Sequence, residues 1–527
     1  MLRVNQMILN DIPTLRKNAE LAIKQKEYKE AHGALLQILK INPQYADAFY
    51  LLAMIPLAIG NIDKAIELIM RAIKISPNKG EYQVQIVKCY TLKGEVLKIV
   101  EWTEKAGKHI LNSAFDNDIL GVAYSRIGLH ENAASYFKKA IEIKSNEANF
   151  YYNLASSLKF LGDFKNARDA YENAIKLNPK HYKAHSALSS LGGVASLGNN
   201  INRLKVLLKN ENEPENVLLL SHSLASEYES QERFDDAFEV LIKAKKQRVK
   251  QLNYSFTEDT EMFDSVTEVF TNPSVKFTEG YNSDKAIFVV GMPRTGTTIV
   301  ERIISNYPEV NSVGELHNFE IILKDMAKLN NAKLIDSKSM HIASNVNFEE
   351  LGQAYINSVH ATSGNSGRFV DKLPLNILNA GFIIKALPAC KIICLDRNPL
   401  DTIVSNFRQI FSPHYAYCYY SNSLEATTNF YLKFRELYLF WQRLFPNNFL
   451  VVNYESLVNS PELEAQKIIE FCGLNWQKNC LDIQNNSSPV ATASASQVRQ
   501  PINNKSVGNW KKYNKYLDNV KKQLNEI

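Results

Sequence analysis

Four glycines, Gly60, Gly94, Gly128 and Gly162, follow one another at intervals of 34 residues. A fixed period of this length marks a solenoid, because each unit can bury its apolar face only against the next. Other positions keep the same step. Ala65, Ile99, Ala133 and Ala167 stand five residues after the glycines, and Ala72, Ala106, Ala140 and Ala174 stand twelve after. Small side chains there let the two helices of a hairpin approach closely. Pro77 and Pro179 stand seventeen after, where a proline ends the second helix. One period earlier Lys26 takes the glycine's place, with Ala31 and Pro43 still in phase.

The pattern resembles tetratricopeptide repeats (TPR) over roughly residues 10–182. A looser unit, Val217 to Lys245, again carries in-phase alanines, Ala237 and Ala244. Between them Ser186 to Asn216, with its LGGVASLGNN, reads as an irregular helical pair. The resemblance implies a helical array over residues 1–250 whose concave groove takes a protein or peptide partner. Aromatics such as Tyr124 and Tyr171 read as packing between helices. Residues 251–274 read as a linker holding one more helix, with Phe263, Val266 and Phe270 on one face. A second domain is expected over 275–527.

That domain opens on Lys285 to Pro308, KAIFVVGMPRTGTTIVERIISNYP. Ala286 to Val290 has the length and β-branched content of a buried strand. A turn follows, Gly291-Met292-Pro293-Arg294-Thr295-Gly296, and then Thr297-Thr298 opens a helical pattern with Ile299, Val300, Ile303 and Ile304. Strand, glycine loop and helix start together make an anion site, since the first helical N–H groups lack partners and the dipole favours negative charge there. Gly291 and Gly296 admit close approach of the backbone. A nucleotide P-loop would end in Gly-Lys-Ser/Thr, the lysine reaching phosphates and the hydroxyl holding Mg²⁺. Here Thr297 follows Gly296, and the cation is Arg294, a planar fork suited to direct hydrogen bonds with a terminal anion.

The P-R-T-G-T-T loop resembles the 5′-phosphosulfate loop of sulfotransferases, which use 3′-phosphoadenosine 5′-phosphosulfate (PAPS). The resemblance implies a P-loop-type α/β domain with a mainly parallel sheet, so that the whole chain is α followed by α/β. It also implies that Gly291, Pro293, Arg294, Thr295, Gly296, Thr297 and Thr298 bind the donor. Further stretches fit it in order. Gly314-Glu315 looks like the segment that carries the catalytic base in tyrosylprotein sulfotransferases, and His317 is the rival base. Lys372, in RFVDKLPLN, resembles the lysine at the bridging oxygen. Arg397 and Ser405 resemble the pair that holds the 3′-phosphate. Tyr454, in Y-E-S-L, resembles a cofactor contact, and Ser494, in TASASQV, matches a serine at the phosphosulfate. Trp510 is expected near the adenine. The chain departs from the family at Asn509, where a basic residue is usual; Lys505, Lys511 and Arg499 are the candidates to replace it. Tyr415, Tyr417, Tyr419 and Tyr420 suit either an acceptor cleft or a cover over the core.

The expected activity is PAPS-dependent sulfuryl transfer to an acceptor hydroxyl, with a protein or peptide tyrosine presented by the TPR groove as one such acceptor. Two other readings stand beside it: a TPR scaffold with an inactive transferase domain, and a nucleotide-dependent phosphoryl transferase, which the missing lysine and metal ligands disfavour. The net charge of +6 over 527 residues suits an anionic donor and is too weak to argue for nucleic acid. No HExxH, EF-hand loop or other metal motif occurs, so no metal is expected. Six cysteines without a CxxC pair read as buried thiols. The start, MLRVNQMILNDIPTLRK, has no long apolar core, and no window approaches the apolar length of a membrane span. A cytoplasmic protein without an integral membrane segment is therefore expected.

Overall fold

The computed structural model describes residues 11–109, 111–191, 200–252, 254–329, 337–363, 367–411, 416–486 and 497–525. The chain divides into two compact units between Asn178 and Pro179. No helix among the described residues is long and apolar enough to cross a membrane.

The first unit is a run of helical hairpins. Its first helices are Ile12–Gln25, Ala46–Ala58, Gly80–Lys93, Ala114–Arg126 and Ala148–Leu161; their partners are Tyr28–Ile41, Ile62–Ile75, Val96–Ala106, His130–Ile143 and Phe164–Leu177. The repeating glycine is the turn of each hairpin. Gly60, Gly94, Gly128 and Gly162 have φ between 72° and 85°, the left-handed region that glycine enters without steric cost. Lys26 takes the same turn at φ 63°. The in-phase alanines are all buried between helices, including Ala31, Ala65, Ala72, Ala106, Ala140 and Ala174.

The second unit begins with helices. Pro214–Ser230 and Phe234–Gln251 form a hairpin, turned by Glu232 at φ 59°, and Phe256–Thr271 follows. Ala237 and Ala244 are buried within it. Phe238, Met262, Phe263 and Val266 share one core with Phe288 and Trp441, which is why these helices stand in the same unit as the sheet. Lys245, 1% exposed, donates to the Gln409 and Ser421 carbonyls at 3.0 and 2.8 Å. Burial pushes its ammonium down to about 7.

Five strands make one parallel sheet in the order β2-β3-β1-β4-β5: β1 Ala286–Gly291, β2 Val310–Gly314, β3 Arg368–Asp371, β4 Lys391–Asp396 and β5 Phe449–Asn453. β1 is central and wholly buried. Its side chains alternate between two cores. Ala286, Phe288 and Val290 face the core that holds Phe348, Phe382 and Trp441; Ile287 and Val289 face Val300, Ile303, Ile304 and Ile468. Helices thus cover both faces, as an all-parallel sheet requires. The six cysteines are buried and unpaired.

Asp371, at the end of β3, is fully buried. Its carboxyl accepts from the Tyr355 hydroxyl at 2.7 Å and the Leu316 N–H at 3.4 Å. Burial pushes it up to about 7 in spite of those bonds. The folded state therefore holds this proton more tightly than the unfolded chain, whose aspartates titrate near about 3.9. The stability it contributes is present below about pH 4 and is lost as pH rises through about 7. Asp371→Asn removes that dependence. The expected result is a melting temperature that gains on the wild type steadily from pH 4 to pH 8; a difference constant across that range would show a carboxyl ionised throughout.

Candidate functional site

The C-terminal ends of all five strands carry residues singled out in the sequence. Across the sheet, Glu315 follows β2, Lys372 follows β3, the Gly291–Gly296 loop follows β1, Arg397 follows β4 and Tyr454 follows β5. The chain leaves β1 toward β2 and β3, and leaves β4 toward β5, so the crevice between β1 and β4 is where ligands settle in open α/β sheets.

The loop is held in a strained shape. Arg294, a non-glycine residue, has φ 71°, and Gly296 has φ 103°. Thr295 closes the turn, its hydroxyl donating to the Met292 carbonyl at 2.8 Å. The helix Pro399–Arg408 clamps the loop from the side. Arg397 Nη1, just before that helix, donates to the Arg294 carbonyl at 2.8 Å, and Asn406 Nδ2 donates to the Pro293 carbonyl at 2.7 Å. Thr297, buried, starts the helix Thr297–Ser305 that carries the loop's N-terminal dipole.

A cleft of about 290 Å³ opens beside this loop. Arg294, Gly296, Thr298, Arg397, Ser405 and Tyr454 line it, so residues scattered over some 160 positions in the chain meet there. Trp510, Val498, Ile299 and Val404 add an apolar side. The Tyr454 ring lies close against Gly296, and the Arg397 guanidinium sits 4.7 Å from its centroid. Burial lowers the Arg294 guanidinium to about 10, with the neighbouring Arg408 and Arg397 charges acting in the same direction. Arg397 Nε is a buried donor without a protein acceptor among the described residues. Clustered guanidiniums and an orphaned donor fit a polyanion, and the apolar side fits a planar base.

Glu315 and Lys372 lie on the other side of β1 and bond to each other. The Lys372 side chain is 1% exposed and the Glu315 side chain 40%, so the carboxylate is reachable and the ammonium is fixed below it. Lys372 N–H donates to the Gly314 carbonyl at 2.9 Å, which joins the two strand ends. His317 is half-buried, and burial holds its imidazole below the ordinary value. Tyr417, Tyr419 and Tyr420 sit on the 3₁₀ turn Ala416–Asn422; Tyr420 is buried against Phe430, ring centroids 3.8 Å apart, a core role. Ser494 and Tyr415 lie outside the described residues.

Sequence reasoning missed four residues. Asp401, buried, accepts the Gly508 and Trp510 N–H groups at 2.7 and 2.9 Å and so ties the C-terminal segment to the cleft. Asn406 clamps the loop. Arg408 and Tyr513 line the cleft. Arg408 had a local signal, a cation one helical turn after Ser405. Lys505 lines the cleft with Asn509, which singles it out from Lys511 and Arg499.

Residues 286–478 match the sulfotransferase family model, and residues 22–85, 118–147 and 148–181 match tetratricopeptide-repeat models. An uncharacterized protein of Aquifex aeolicus is 29% identical over 464 residues, covering 86% of this chain. The chain spans 60% of that protein's length. A putative protein-tyrosine sulfotransferase of Caenorhabditis briggsae is 26% identical over 262 residues, 47% of this chain and 87% of its own. Protein-tyrosine sulfotransferase 2 of Gallus gallus is 22% identical over 243 residues, 42% of this chain and 62% of its own.

Proposed function

From a sulfotransferase-family domain behind tetratricopeptide repeats, we propose that this chain transfers a sulfuryl group from PAPS to an acceptor hydroxyl. The observation that carries the reading is the order of the five strand ends: carboxylate, buried ammonium, anion loop, arginine and tyrosine on one edge of one sheet. When bound, the donor supplies the sulfuryl group and a phosphate oxygen as leaving atom. Glu315 takes the proton of the acceptor hydroxyl as it attacks. Lys372 places an ammonium where negative charge grows as the bond breaks, so it favours the transition state over the ground state. Arg294 and the N–H groups of Gly296, Thr297 and Thr298 hold the 5′ end, with Ser494 assigned there by resemblance. Arg397, Ser405 and Lys505 hold the 3′-phosphate, Lys505 in place of the basic residue that Asn509 lacks. Tyr454 and Trp510 bracket the adenosine.

Two relatives carry the name protein-tyrosine sulfotransferase, and tetratricopeptide repeats supply protein-binding surface. Together they support a tyrosine hydroxyl of a protein or peptide as the acceptor.

Calorimetry with 3′-phosphoadenosine 5′-phosphate, and adenosine 5′-phosphate as control, tests the donor. Wild type is expected to prefer the first, and Arg397→Ala to lose about 2–5 kcal/mol of that binding, the usual cost of removing one partner of a buried charge pair. Equal binding of the two nucleotides would sink the reading, and Mg²⁺-dependent ATP binding would replace it with phosphoryl transfer.

A further inference from the structure

We propose that Glu229, on the helical hairpin outside the family-matched segment, is a positioning residue of the donor site: it orients Arg408 toward the 3′-phosphate end of the cleft. The inference rests on the donor reading above. Arg408 stands one turn after Ser405 on the helix Pro399–Arg408, so the two share a face, and both line the cleft. Glu229 holds Arg408 through two donors: Nε to Oε1 at 2.7 Å, and Nη2 to Oε2. Such a fork fixes the plane of the guanidinium, and the nitrogen left over by the clamp is Nη1. The same carboxylate accepts from the Tyr513 hydroxyl at 2.6 Å, and Tyr513 is another cleft-lining residue. One carboxylate on the hairpin therefore sets two walls of the cleft.

The hairpin is seated firmly enough to act as a reference. Phe238, fully buried on its second helix, packs its ring 5.2 Å from Phe407 and 4.8 Å from Tyr513. Phe407 is the residue before Arg408, so the helix end that carries the guanidinium is held by apolar packing and by the carboxylate at once.

A second role for Glu229 would be to neutralise charge, since Arg294, Arg397 and Arg408 share the cleft. The two roles predict opposite signs. Removing a neutralising carboxylate makes the cleft more positive and tightens binding of any nucleotide. Removing an orienting carboxylate frees Arg408 to swing and weakens the hold on the 3′-phosphate alone.

The test is calorimetry on the full chain with 3′-phosphoadenosine 5′-phosphate and adenosine 5′-phosphate. Glu229→Gln is expected to lose about tenfold or more of the wild-type preference for the first, the share of one charge-assisted fork, with binding of the second unchanged. Arg408→Gln is expected to show the same loss, and the double variant no further loss, as residues acting through one contact do. Arg408→Lys keeps the charge, cannot form the fork, and leaves the hairpin intact; it is expected to lose the preference too. It decides the matter should Glu229→Gln melt early. A full preference in Arg408→Lys, additive losses in the double variant, or tighter binding of both nucleotides by Glu229→Gln would each overturn the positioning role. A wild type with no preference would be a different result, overturning the donor reading itself.

Discussion

Glu315→Gln is expected to lower kcat for sulfuryl transfer by about 10²–10⁴-fold, the usual contribution of a positioned base, and to leave binding of 3′-phosphoadenosine 5′-phosphate as it is in the wild type. The separation follows from the sheet. Glu315 stands after β2 and the groups proposed to hold the phosphates stand after β1 and β4, with β3 between β2 and β1. The amide keeps the size of the carboxylate and an oxygen for Lys372 to donate to, but it cannot take a proton. Transfer of label from ³⁵S-labelled PAPS to a tyrosine peptide measures kcat, and calorimetry measures the donor. Normal turnover by the Glu315→Gln variant would move the base elsewhere. His317, two residues on and held toward its neutral form by burial, is then the side chain to change.

Gly296→Ala is expected to damage both stability and donor binding. At φ 103° an alanine is strained wherever its side chain points, and such backbone costs about 1–3 kcal/mol. Its Cβ would also lie 2.5 Å from Cδ2 and 2.9 Å from Cε2 of Tyr454. Tyr454 has little room to retreat, because it is buried and the Arg397 guanidinium packs on its ring. Either the loop or the ring and its arginine must shift. A loss of about 1.4 kcal/mol at the loop weakens binding tenfold, so the expected result is at least that, together with a fall of about 1–2 °C in melting temperature per kcal/mol for a unit of this size. An alanine variant that binds and melts like the wild type would show that the loop needs no glycine there.

The parts of the molecule that were legible in the sequence are those set by local rules. The 34-residue period could be read because the hairpin turn wants a glycine and the helix contact wants an alanine, at fixed offsets. It was blurred at Lys26 and Glu232, where a non-glycine residue takes the same left-handed turn, at a cost of roughly 1–2 kcal/mol. The strand–loop–helix turn at Gly291–Gly296 was legible because strand, glycine and helix start are contiguous, and the meeting of Arg397 with Ser405 because both follow one strand. The clamp residues were not. Asp401 and Asn406 read as ordinary polar positions of an amphipathic helix, and nothing local says that one will gather the N–H groups of Gly508 and Trp510 and the other the Pro293 carbonyl. Glu229 was beyond reach altogether, since its partners Arg408 and Tyr513 come from distant segments that only the tertiary fold assembles.

The strand order also sets a timetable for folding. Of the sheet's neighbours, only β2 with β3 and β4 with β5 are consecutive in the chain; the central strand β1 pairs with β3 and β4. A chain emerging from the ribosome therefore carries β1, a wholly apolar strand, without either partner until the segment through Asp371 has been made, and without the second until Asp396. The hairpins before it close through contacts between neighbours in sequence and need no such wait. Local contacts form quickly and distant ones slowly, so the nascent chain passes through a stage in which the array is finished and an apolar strand still seeks its partners. At that stage the exposed apolar strand leaves the chain most open to aggregation.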